Sequence, residues 1–224
     1  MANAEHHTSE NAGTALSIRR IIHTWWPLAA SWLFMATEGP MMNAVVARMA
    51  EPEINLATWG GVVFPIALIV EAPIIMLLSA STALSKDWDS YRKLRRFMIW
   101  MAGALTAIHA LIAFTPLYYF VAVKLIGAPK EIIEPARLGM MIMTPWTASI
   151  AYRRFNQGVL IRFGHSRAVG IGTVIRLSTD ALILTLGYLL GANRIETPLP
   201  PGAVSGIVVA GCAIASGVIS EAIY

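Results

Sequence analysis

The stretch WWPLAASWLFMATEGPMMNAVVAR, residues 25–48, decides the class of this chain. It is apolar over the ~20 residues a helix needs to cross a bilayer, yet Glu38 stands in its middle with Gly39-Pro40 directly behind. A carboxylate in hydrocarbon is costly and ordinarily faces a bundle interior or a wet cavity. Proline interrupts the helical hydrogen-bond ladder, and backbone freed at membrane depth is tolerated only where protein or a cavity covers it. Two readings follow. Glu38 is an ion-coupling or substrate-binding acid beside a broken helix, as secondary transporters place them, or it marks a structural kink and is protonated or paired with another helix.

Composition points the same way. Hydrophobic residues make up 56% of the 224 residues and charged residues only 13%, about half the usual share for a soluble domain. The net charge of +4 therefore reads as membrane topology, and no nucleic-acid partner is expected. Cys212 is the single cysteine, so neither an internal disulfide nor a multi-cysteine metal site is open to the chain. The histidines lack metal-ligand spacing, and no catalytic pairing falls within the apolar runs, so neither a metal cofactor nor an enzyme is expected.

Six spans are expected, at residues 25–48, 59–84, 97–120, 138–160, 168–190 and 203–224, behind a polar tail at residues 1–22 without a cleavable signal. Pro116 makes the end of the third the hardest to place, and residues 124–137 turn amphipathic, as a surface segment does. The fold class is all-α, a polytopic six-helix bundle at residues 23–224. One set of loops holds Arg19, Arg20, Lys86, Arg92, Lys93, Arg95, Arg96, Arg153, Arg154, Arg162 and Arg167; the other holds Arg48, Lys124, Lys130, Arg137 and Arg194. The positive-inside rule puts the larger set, and both termini, in the cytoplasm, in a cell (inner) membrane. The run of residues 92–96 reads as a topology anchor touching anionic lipid.

Within the fifth span Gly172, Arg176 and Asp180 recur every four residues and share a face. Arg176 and Asp180 either form an internal ion pair, or Asp180 meets Glu38 across a helix interface, sharing a proton or cation while Arg176 offers an anion contact. Thr173 and Asn43 are candidates to complete that polar cluster. Glu71, before Pro73, and His109 are weaker candidates; a lone histidine in a span is more often a satisfied core residue. Glu221, near the expected cytoplasmic end, needs no special role. Gly202, Gly206 and Ala210 at four-residue spacing, then Ala213 and Gly217, give the sixth span a small-residue face for close helix packing.

Several segments together resemble the MATE and flippase (MOP) superfamily of exporters. QGVLIRFGHSR, residues 157–167, is similar to the turn that closes the fourth helix there, and Ala83-Leu84-Ser85-Lys86 with the basic run of residues 92–96 is similar to the loop between its second and third helices. Glu38, Gly39, Asn43 and Tyr118-Tyr119 most resemble the progressive ankylosis (ANKH) branch. The resemblance runs from about Trp26 to the end. It implies one six-helix lobe of a twelve-helix transporter that works by alternating access, with H⁺ or Na⁺ coupled through acids in the first and fifth helices, where Glu38 and Asp180 fall. Arg176 departs from cation-binding relatives and favours an ion pair or an anion contact. The ANKH branch implies export of a small anionic solute such as ATP, citrate or pyrophosphate. A second six-helix lobe is then the expected partner, missing here or supplied by dimerisation. The alternatives are a flippase for lipid-linked oligosaccharides and a non-transporting membrane scaffold or assembly subunit.

Overall fold

A computed structural model describes residues 17–192 and 205–224, which are helical throughout with no strand among them. Residues 1–16, and residues 193–204 with Arg194 and Gly202, lie outside the described residues. Nine α-helices follow in order: α1 Ile18–Ala36, α2 Glu38–Val46, α3 Pro52–Thr58, α4 Phe64–Leu84, α5 Trp88–Phe114, α6 Leu117–Tyr119, α7 Lys130–Arg162, α8 Ser166–Gly187 and α9 Gly206–Ile223. A π-helical turn, Trp59–Val63, joins α3 to α4 in one rod, and two others extend α6 and α8.

Among the described residues, four helical segments are long and apolar enough to cross a membrane: Pro52–Leu84, Trp88–Phe114, Ser166–Leu190 and Gly206–Ile223. The expected first and fourth spans are helical but do not belong to this set. The first is interrupted at Thr37, between α1 and α2, and α7 carries Lys130, Glu131, Glu134 and Arg137 at one end and Arg153 and Arg154 within.

Local chemistry explains the boundaries. Asp87 caps α5, its Oδ1 accepting from the Ser90 N–H at 2.8 Å, and those hydrogen bonds hold its carboxyl below the ordinary aspartate range. The third span ends earlier than residue 120: Thr115, before Pro116, is extended (φ −111°, ψ 169°) and stops α5 at Phe114. Residues 124–137 are not one surface segment. Gly127, at φ +73°, ends the first part, and Lys130 already opens α7, where Ile132 and Ala136 are buried. Helix α1 reaches back to Ile18, into the stretch expected to be tail.

The core is organised around α7, which packs against α4, α5 and α9, while α8 packs against α9 and α1. Small residues allow the closest approaches. On α9, Gly206 lies against Asn55, and the Asn55 Oδ1 accepts from the Ile207 N–H at 2.9 Å, so a side chain of α3 caps α9. Beyond the basic first turns of α5, with Arg92, Lys93, Arg95 and Arg96, its outer face is apolar: Phe97, Ile99, Trp100, Ile108, Leu111 and Phe114 are all exposed. Such a belt is a liability in water and an asset in lipid.

Gly158 of α7 marks the tightest contact with α4: a Cβ there would run into the Ser81 side chain and the Leu78 carbonyl. Gly158→Ala should therefore lower unfolding stability by about 1–3 kcal/mol, as overpacking does. Gly103→Ala, with open space around it on α5, should be neutral or stabilising by up to about 1 kcal/mol. Denaturation of both variants in detergent micelles checks the contrast.

Candidate functional site: a buried charge cluster

Pro40 sets the position of the first acid. It lacks an N–H and its ring collides with the carbonyl four residues back, that of Ala36, where α1 ends. Thr37 fills the gap, donating to the Phe34 carbonyl from its N–H at 3.0 Å and its hydroxyl at 2.6 Å. The chain restarts as α2 at Glu38, whose side chain is 14% exposed.

Helix α8 runs parallel to this broken rod. His23 meets Arg167, Ser31 lies beside Gly170, and Glu38 meets Arg176, so partners rise together along both helices. Arg176 grips Glu38 with its side-on edge, Nε donating to Oε1 at 2.8 Å and Nη2 to Oε2 at 2.6 Å. Two parallel charge-assisted bonds are the strongest pairing a guanidinium makes with a carboxylate. Asp180 is not the main partner of Arg176. It lies 3.9 Å from Nε, fully buried, and neither carboxylate oxygen has a hydrogen-bond partner among the described residues. Its other acidic neighbours are Glu38 and Glu221. Gly217 of α9 makes the space, since a Cβ at that position would collide with Asp180 Oδ1.

A second pair continues the cluster. Arg153 Nη1 donates to Glu221 Oε2 at 2.6 Å and Gln157 Nε2 donates to Glu221 Oε1 at 3.0 Å, all three side chains being buried. Arg176 Nη1 stands 3.9 Å from the same Glu221 oxygen, which joins the two pairs. Glu221 thus has a specific place, and Gly172 of α8 leaves room for it. Glu71, on α4, is buried with Oε2 unpartnered among the described residues, and Arg154, Arg153 and Arg176 are its charged neighbours. Arg154 also stacks over Trp32 at 5.5 Å. The carboxylates Glu38, Glu71, Asp180 and Glu221 thus face the guanidiniums of Arg153, Arg154 and Arg176, one acid more than base. Uncompensated charge is expensive away from water, and the cluster carries one formal negative charge in excess. On the Arg153–Glu221 side it borders a cavity of about 430 Å³ that also touches Tyr91, Tyr152, Asn156 and Tyr224.

Of the residues singled out from sequence, Glu38, Arg176, Asp180 and Glu71 come together here. Thr173 is buried beside them, its hydroxyl donating to the Val169 carbonyl at 3.1 Å, and lines a small cavity with Ser31, Arg154 and Gln157. Asn43 does not join; it is exposed on α2. Five residues beyond Glu38 is about 140° around a helix, nearly the opposite face. His109 is apart, with both ring nitrogens occupied. Nε2 donates to the Met140 carbonyl at 3.0 Å, so Nδ1 accepts from the Thr147 hydroxyl at 2.9 Å. Arg153, Arg154, Gln157 and Glu221 were missed as site residues, and the first two are not loop residues but lie within α7. Their signal was the four-residue spacing of Arg153 and Gln157 and a lone acid in the apolar α9. Among the described residues no group of three or more His, Cys, Asp or Glu is placed to hold a metal ion.

The fold and site define an all-helical protein with four segments suited to a membrane and an ion-pair network buried between its helices. The chain matches no protein-family model, no curated protein and no solved structure.

If Glu38 is the principal partner of Arg176, Arg176→Met should cost about 3–5 kcal/mol of stability, much of it from the carboxylate left unpaired. Adding Glu38→Gln should recover a large part of that loss, whereas adding Asp180→Asn should recover less. Additive losses for Glu38 and Arg176 in a double-mutant cycle would show the pair to be uncoupled.

Proposed function

We propose that this chain is one six-span lobe of a secondary active transporter that moves a small anionic solute, with α1/α2 and α7 crossing the membrane as well. The observation that carries the reading is the side-on Glu38–Arg176 pair at a helix break, inside a cluster with one carboxylate in excess. Ionisable groups buried among spans mark ion and substrate pathways, and a broken helix beside them is the usual construction of a transport site. The same pair limits what Arg176 can do, because its best anion-binding edge is taken by Glu38. A proton on Glu38 weakens that grip and frees the edge for a carboxylate or phosphate of the cargo. Proton uptake and anion binding are thereby linked. The resemblance to the MATE and ANKH-like exporters supplies the cargo class and the second lobe, from a partner copy or further sequence.

Linkage gives the sign of the pH effect. Citrate and pyrophosphate should bind the purified chain more tightly as pH falls, by up to about tenfold per pH unit for one linked proton. Glu38→Gln should lose that component and follow only the titration of the anions themselves. Calorimetry in detergent measures both, and vesicle efflux under a pH gradient extends the test to transport. Absence of any anion binding by a folded protein would favour a scaffold, and flux of lipid-linked sugar instead would favour a flippase.

Orientation is tested separately. With Arg153 and Arg154 inside α7, nine basic residues still stand against five, which supports cytoplasmic termini. In a Cys212→Ala background, Glu53→Cys should react with an impermeant thiol reagent from outside and Ser90→Cys only from inside; the reverse pattern would invert the topology.

A further inference from the structure

We propose that an anionic phospholipid occupies the groove between the N-terminal ends of α1 and α8, its phosphate between Arg19 and Arg167 and an acyl chain along Ile18, Ile22 and Trp26. The groove is a cavity of about 640 Å³, apart from the charge cluster, and its lining is mostly apolar. Because α1 and α8 are adjacent and parallel, their N-terminal ends lie on the same side. Each helix also turns the positive end of its dipole to this side. Arg19 is the second residue of α1 and Arg167 the second of α8, so each adds a full charge to a helix end that already favours anions.

The neighbours leave that charge in place. Arg167 Nη2 lies 3.4 Å from His23 Nε2, and since a guanidinium only donates, the histidine is the acceptor. His23 thus positions Arg167 at the groove without neutralising it, and none of the described residues lining the groove is acidic. Charge at the mouth calls for a phosphate, and the apolar wall below calls for hydrocarbon. A free phosphate satisfies only the first requirement; a phospholipid satisfies both. Basic pockets between membrane helices on the cytoplasmic side have this character, and Arg19 and Arg167 both belong to the set placed in the cytoplasm. The site does not depend on the transport reading.

Native mass spectrometry of the full chain in detergent, with added phosphatidylglycerol, cardiolipin or phosphatidylcholine of matched chain length, tests this. The wild type should retain a bound phosphatidylglycerol or cardiolipin that survives detergent stripping and should not retain phosphatidylcholine. The pair Arg19→Gln/Arg167→Gln should weaken retention at least about tenfold, as two surface cations near a headgroup predict. Lys124→Gln/Lys130→Gln, which removes the same charge outside the groove, should leave it unchanged. Equal retention of phosphatidylcholine, an equal loss in the Lys124/Lys130 control, or thermal stabilisation by inorganic phosphate as great as by the lipid would each overturn the proposal. Should the double variant not fold, Arg167→Gln alone and the wild-type lipid comparison decide it.

Discussion

The structure rests on the cost of charge away from water. Taking a carboxylate or a guanidinium out of water costs several kcal/mol, and only a partner in good geometry offsets it. Glu38 obtains that partner from α8, Glu221 from α7, and Arg176 stands between both acids. The cluster therefore acts as a set of clasps between helices that are far apart in sequence. Apolar packing among helices does not select one arrangement strongly in lipid, because lipid tails are as apolar as leucine. The ion pairs do.

Steric permissions complete the arrangement. Asp180 enters the α8–α9 interface only because position 217 is glycine, and Glu221 reaches its partners past Gly172. The small residues of α9 thus have two roles, close packing of helix backbones and admission of carboxylates between them. The break at Thr37 has a comparable double effect. It ends α1 under the constraint of Pro40, and it puts Glu38 in the first turn of α2, facing the arginine edge of α8.

Much of the helical layout was legible in the sequence, because long apolar runs and the prolines punctuating them report helices directly. The ends of α5 were not: the expected span covered residues 97–120, whereas the Asp87 cap starts the helix at Trp88 and the residue before Pro116 stops it at Phe114. That Glu38, Arg176 and Asp180 lie together was legible as well, since midspan charges have few places to go. Which acid Arg176 prefers was not. Four-residue spacing makes Asp180 the obvious partner, but a guanidinium has a direction, and only the packing of α1/α2 against α8 turns its side-on edge to Glu38. Arg153 and Arg154 misled for the opposite reason. Paired arginines ordinarily end a span, and nothing local shows that α9 brings a carboxylate to them. Asn43 was a matter of helix phase, one and a half turns being the far face.

The separation of these partners along the chain has a consequence for biosynthesis. Glu38 and Arg176 are 138 residues apart. At about 5–20 residues per second, ribosomes finish α8 roughly 7 to 28 seconds after α2. During that interval Glu38 has no arginine to hold it, so the nascent α1/α2 segment either carries a proton on its acid or stays at the bilayer surface. Arg153 waits in the same way for Glu221, 68 residues later. Complete settling of the early helices into lipid is thus tied to the arrival of α8 and α9, and the order of translation becomes part of how this bundle is assembled.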